Sequence, residues 1–253
     1  MGSGERPVTA AAVAALALAC LVACTPSNSD SVRGAVAAAP AIASHTSAAG
    51  DIAASTVVAS LDLPAPGSYR LDRIMEAPHG AVLASDGSAH RLAEYTEGKV
   101  TLFSFIYTAC SDARGCPLAL ATMHALKAAI ESDPRLRAEV RLVSMSFDPD
   151  HDTAAVMRSY GGADGAAAAR PRWFFLTTQS ARQLAPLLAG FGQDVHAAQQ
   201  ATAPAAGERP QLAHLLKIYL IDRRGVVREI YSPAFLRADV MLGDIRTLAA
   251  ERE

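Results

Sequence analysis

Residues 100–120 read VTLFSFIYTACSDARGCPLAL, and their pattern decides the fold class. The run from Val100 to Tyr107 is apolar at nearly every position, as a strand covered on both faces must be; polar alternation arises only where one face meets water. A short polar loop with Cys110 and Cys116 follows, and Pro117 then suits the first turn of a helix, where its missing N–H has no partner to lose. Buried strand, loop and helix make the first half of a crossover unit. Open α/β sheets place their ligands beyond the carboxyl ends of such strands, which is where both cysteines fall.

Downstream, residues 117–131 put Ala119, Met123, Leu126 and Ile130 on one helical face and His124, Lys127 and Glu131 on the other, so His124 is expected to face solvent and the helix to end at Pro134. Residues 139–147 predict a second strand, broken by Asp148-Pro149, and Asp152 is expected to cap a helix over 153–160. A Gly/Ala loop at 161–170 leads to a third strand over 172–177. Ser180 caps the next helix, which Pro186 should shorten or kink. Residues 192–210, rich in Ala, Gln and Pro and carrying His196, read as a long loop. Residues 214–221 and 226–231 flank Asp222-Arg223-Arg224-Gly225 as a hairpin, and 236–248 form a closing helix with Met241, Ile245 and Leu248 inward. Upstream, 81–85 and 88–92 flank Asp86-Gly87, which predicts a two-residue hairpin turn with positive φ at both central positions. Two βαβ crossovers and two terminal hairpins imply one mixed α/β sheet, with helices on both faces, over residues 61–253.

The N-terminus has a different character. Residues 1–23 carry an early Arg6 and then an Ala-rich apolar run, which reads as an export signal. Its end, Leu21-Val22-Ala23-Cys24, looks like a bacterial lipobox, which would make Cys24 the lipidated mature N-terminus. An ordinary secretory signal and an uncleaved anchor are the alternatives, and all three place the remainder outside the cytoplasm. Residues 24–60 are Ala, Ser, Thr, Pro and Gly with scarcely a large apolar side chain, so they cannot bury enough surface to offset ordering entropy. As a flexible tether they would reach about 30–35 Å. With a net charge of −2 and no long Lys/Arg run, nothing favours nucleic acid as a partner.

Five residues, Ser111 to Gly115, separate Cys110 from Cys116. A helix N-terminus and Arg114 favour thiolate at Cys116. The loop allows a structural disulfide, a redox-active pair or two thiolates around one soft ion, and composition alone leaves these open. A metal would need a further ligand. His45, His79, His90, His151 and His196 read as surface residues, whereas His214, at the start of a strong strand, can face the cysteine edge.

At these residues the chain resembles the Sco/SenC family of thioredoxin-like copper proteins. FSFIYTACSD is similar to that family's strand entering Tyr-Thr-x-Cys-x-Asp, GCPLAL to its second Cys-Pro, VSMSFDPDHDT to its next strand, and HLLKIYLIDRRG to the block carrying its metal-binding His. The resemblance covers roughly residues 66–248. It implies a thioredoxin-like fold holding one copper ion, Cu(I) or Cu(II), through Cys110, Cys116 and His214; Asp112 matches the acidic residue inside that family's cysteine loop and is assigned no ligand role. It further implies an envelope copper carrier on the periplasmic side, serving the copper-accepting subunit of a respiratory oxidase such as cytochrome c oxidase. The alternative is a thiol–disulfide oxidoreductase or peroxide-handling protein that uses Cys110 and Cys116 as catalytic thiols. The chain departs from the family in two places: five residues between the cysteines where three are usual, and Ala213 where an acidic residue precedes the His.

Overall fold

The computed structural model describes residues 63–110, 115–197 and 212–251; the signal segment, Cys24, the tether, Asp112 and the side chain of Cys116 lie outside the described residues. In chain order the elements are β1 (Met75–Glu76), β2 (Ala81–Ala84), β3 (Ala89–Arg91), α1 (Ala93–Thr96), β4 (Val100–Ile106), α2 (Gly115–Ser132), α3 (Pro134–Glu139) and β5 (Val140–Ser146). There follow α4 (Ala154–Gly161), β6 (Arg172–Thr177), α5 (Ala181–Gly190), β7 (Val195–Ala197), β8 (Leu212–His214), β9 (Ile218–Ile221), β10 (Val226–Tyr231), a 3-10 turn (Pro233–Phe235) and α6 (Ala238–Ala250).

The main sheet runs β1-β10-β9-β4-β5-β6-β2-β3. β4, β5 and β6 are parallel neighbours, in register from Val100↔Val140 to Ile106↔Ser146 and from Arg141↔Arg172 to Met145↔Leu176. β9 and β2 join the flanks of this trio antiparallel, and β7 and β8 form a ribbon of their own. The expected mixed sheet, with a hairpin at each end of the domain, is therefore present.

Alternation explains why β4 is apolar throughout. Val100 and Leu102 pack with Met123, Leu126 and Ile130 of α2, Met157 of α4 and Met241, Ile245 and Leu248 of α6. Phe103 and Phe105 point the other way, into a core with Leu184 and Leu187 of α5, Phe191 and Tyr219. Each such side chain contributes about 1.5–3 kcal/mol by leaving water, so one strand anchors both halves of the core. Buried polar groups on the first face pair with one another: Ser104 and Ser144 hydroxyls lie 3.1 Å apart, and Trp173 Nε1 donates to Ser144 Oγ at 3.1 Å. Among the described residues no helix is long and apolar enough to cross a membrane.

Several local expectations change. Gly87 has φ of +89° but no non-glycine residue among those described has positive φ, so the N-terminal hairpin closes with one left-handed residue, not two. Asp86 instead accepts the Ser88 N–H at 2.8 Å, holding the turn from its side chain. α2 begins two residues before Pro117 and stops at Ser132. Pro134 then opens α3, because Asp133 caps it by accepting from the N–H groups of Arg135 and Leu136. The closing helix begins at Ala238 because the 3-10 turn takes up the preceding residues. Pro186 lies inside α5, which Ser180 caps as expected. The segment read as a loop from 192 contains β7, whose residues Val195, His196 and Ala197 pair with His214, Ala213 and Leu212; residues 198–211 lie outside the described residues.

Candidate metal centre

β4 delivers the first cysteine. Its pairing continues past Ile106, whose carbonyl accepts the Phe147 N–H at 3.0 Å, and the chain then bends through Tyr107 and Thr108 to Cys110, whose N–H donates to the Tyr107 carbonyl at 3.4 Å. Asp152 fixes that bend. Fully buried, it accepts the Thr108 N–H at 3.0 Å, the Thr108 hydroxyl at 2.5 Å and the Ser146 hydroxyl at 2.6 Å. It does not cap α4 as expected. Thr153 does, accepting from the Val156 N–H. Two capping residue types stood side by side for one helix, and the carboxylate, which can take three donors, serves the ends of β4 and β5 instead.

Cys110 is partly buried against the aromatic face of the core and is disulfide-bonded. Every other cysteine of the chain lies outside the described side chains. Cys116 occupies the second position of α2, so its backbone stands in the first helical turn, as its Cys-Pro pair predicts.

His214 arrives from elsewhere. The sequence reads it as the first residue of a continuous strand to Ile221; it is in fact the last residue of β8, and the chain turns through 215–217 before β9 begins. Gln193 and Lys217 hold that turn, donating to the carbonyls of Leu215 at 2.9 Å and Gly192 at 2.6 Å. The imidazole lies against two rings: Phe147 at 4.6 Å between centroids, and Tyr107 at 5.9 Å in an edge-on contact of 86°. Tyr107 and Phe147 in turn pack at 4.9 Å, and the Tyr107 hydroxyl reaches the Leu212 carbonyl at 3.5 Å. Tyr107 thus joins the strand that presents Cys110 to the ribbon that presents His214. A cavity of about 30 Å³, with Ile106, Leu120, Tyr160 and Leu216 in its wall, opens beside the imidazole. It has room for little more than a water molecule.

The other histidines take different places. His124 is exposed as expected, 3.7 Å from Asp164 and edge-on to Trp173. His79 and His196 are exposed, His151 is half-buried, and His45 lies outside the described residues. His90 is also half-buried, bonded at 2.8 Å to both Ser88 Oγ and Glu94 Oε2. Among the described residues no three His, Cys, Asp or Glu side chains stand together as a metal site, a set that leaves out Cys116. Sequence reasoning missed Asp152 and the Tyr107–Phe147 clamp as supports of this edge.

The fold has well-defined relatives. ScoI of Bradyrhizobium japonicum, solved with copper bound, is 22% identical with a TM-score of 0.54, the match covering 69% of this chain and 99% of that one. A SCO1/SenC family lipoprotein from Bacillus anthracis str. Ames is 24% identical with a TM-score of 0.55, over 69% of this chain and 95% of that one. BsSco, described as a Sco family cytochrome c oxidase assembly protein with a disulfide switch, is 22% identical with a TM-score of 0.54, over 73% and 100%. No curated protein matches the chain. These structures share the thioredoxin-like arrangement of mixed sheet and flanking helices seen here. The SCO1/SenC family model matches residues 82–250, from the first hairpin to the end of α6 and well over half the chain, and this chain therefore belongs to the SCO1/SenC family.

Proposed function

We propose that this chain is a copper carrier of the bacterial cell envelope, binding one copper ion through Cys110, Cys116 and His214 and passing it to the copper-accepting subunit of a respiratory oxidase, cytochrome c oxidase in the first instance. The observation that carries the reading is Tyr107. It sits three residues before Cys110 and packs against His214, so it neighbours two candidate ligands more than a hundred residues apart in sequence. Two thiolates suit Cu(I), and an imidazole extends the set to Cu(II). The copper-bound relative and the lipoprotein relative support cargo and location respectively. Cys24 would be the lipid anchor and residues 24–60 the tether that lets the domain reach a membrane-bound acceptor.

Copper is cargo here. The disulfide form must first be reduced by an external dithiol, which ends as a disulfide, to give two thiols that lose their protons as copper binds. Release then proceeds by exchange, each ligand of the carrier giving way to one on the acceptor. The test is to load the reduced full chain with one Cu(I) and mix it with the reduced acceptor subunit. Copper moving to the acceptor supports the reading; copper retained by the carrier opposes it.

The disulfide at Cys110 favours one second reading, a thiol–disulfide oxidoreductase that reduces the acceptor's cysteines. In that reaction the carrier dithiol is oxidised to its disulfide while the acceptor disulfide is reduced to a dithiol. Turnover on a disulfide substrate without copper would mark it.

A further inference from the structure

The opposite edge of the parallel sheet holds a cluster of cations. A pocket of about 150 Å³ at the amino ends of β4, β5 and β6 is lined by Lys99, Arg137, Arg141, Arg170 and Arg172, with Val140 and Phe174. Lys99, Arg137 and Arg170 are exposed at its rim, Arg141 is buried at 8% exposure, and Arg172 is half-buried. None of the five forms an ion pair among the described residues.

Their hydrogen bonds position charge without neutralising it. Arg141 donates to Thr101 Oγ1 and to the carbonyls of Glu94 and Glu97, Arg170 to those of Ala167 and Ala169, Arg172 to Ala167, and Lys99 to Ala138. Register makes the arrangement costlier: Arg141 and Arg172 are direct partners on adjacent parallel strands, where like charges repel. Arg172 lies over the Phe174 ring at 4.8 Å, and its Nε is buried with no acceptor. A buried donor without a partner is rare. Glu97 is the carboxylate whose charge acts on Arg141, and burial outweighs it, holding that guanidinium down at about 10.

We propose that this pocket binds a phosphate-type oxyanion, supplied either as the free ion or as the headgroup of an anionic lipid. A tetrahedral anion in this pocket would accept from the rim groups of Lys99 and Arg137, and its charge would offset the repulsion between Arg141 and Arg172. The site is at the other end of β4 from Cys110, so it stands apart from copper binding.

The test uses the full chain in a non-ionic detergent at constant ionic strength, titrated calorimetrically with sodium phosphate and, separately, with short-chain phosphatidylglycerol or phosphatidylcholine. Saturable binding of phosphate or phosphatidylglycerol, with none of phosphatidylcholine, is expected, and the tighter of the two identifies the source. Lys99→Gln combined with Arg137→Gln alters exposed rim residues and should weaken that binding at least about tenfold. The wild-type melting temperature should also rise in the tighter-binding anion relative to chloride, a readout that needs no variant. Absence of saturable binding by both phosphate and phosphatidylglycerol, or equal affinity in the double variant, would overturn the proposal.

Discussion

Asp152 holds Thr108 by two hydrogen bonds across 44 residues of sequence, one from the backbone N–H and one from the hydroxyl. The third donor to the same carboxylate, Ser146, also gives its oxygen to the Asp148 N–H, so the exits of β4 and β5 are tied into one unit beside Cys110.

Asp152→Asn puts an amide NH₂ where only an acceptor fits. Donors from Thr108 and Ser146 then face a donor, and the cost should be about 2–4 kcal/mol, since the site is fully buried. For a domain of this size the melting temperature should fall by about 5–10 °C. Thermal denaturation of the oxidised chain checks it. A change under one degree would mean that the carboxylate does not carry the bend.

Phe147→Leu keeps an apolar side chain of similar bulk and removes the ring that meets His214 at 4.6 Å. Stability should change by less than about 1.5 kcal/mol. Copper affinity should fall about tenfold, because a metal-binding imidazole depends on the groups that orient it. Competition against a chromophoric Cu(I) chelator measures this, with circular dichroism confirming the fold. Unchanged affinity would show that the clamp does not position the histidine.

Alkaline pH should destabilise the domain through its buried tyrosines. Burial, reinforced by the charges of Glu94 and Asp86, pushes Tyr95 up to about 12, and burial pushes Tyr219 and Tyr231 up as well. Their folded pKa values exceed the unfolded value of about 10, so stability is intact below pH 10 and falls as pH rises toward 12. The comparison to make is wild type against Tyr95→Phe. The variant should lose less stability between pH 9.5 and 11.5 in denaturant titrations. Identical losses would contradict the assignment.

What the chain discloses without its structure follows from how local each signal is. Burial of β4 on both faces is written into every one of its residues, so its central place and the crossover to α2 were legible, as was the face carrying Met123, Leu126 and Ile130. The two-residue β1 is too short to have a period, and its pairing to β10 is a tertiary event. The β7–β8 ribbon was hidden for a similar reason: its strands have three residues each and find each other across the segment 198–211. His214 was recognised as a candidate ligand, but Leu215 and Leu216 extend the apolar run and mask the turn that detaches it from β9. Asp152 was legible as a capping residue type. That it would instead be buried against Thr108 depends on how β4 and β5 end side by side, which local sequence does not encode.

The most direct test of the account is anaerobic titration of the reduced full chain with Cu(I), wild type beside Cys110→Ser, Cys116→Ser and His214→Ala. The account predicts one tightly held Cu(I) per wild-type chain. Affinity should drop at least a hundredfold, about 3 kcal/mol, on loss of either thiolate, and about tenfold or more on loss of the imidazole. Copper bound equally well by both cysteine variants would contradict it.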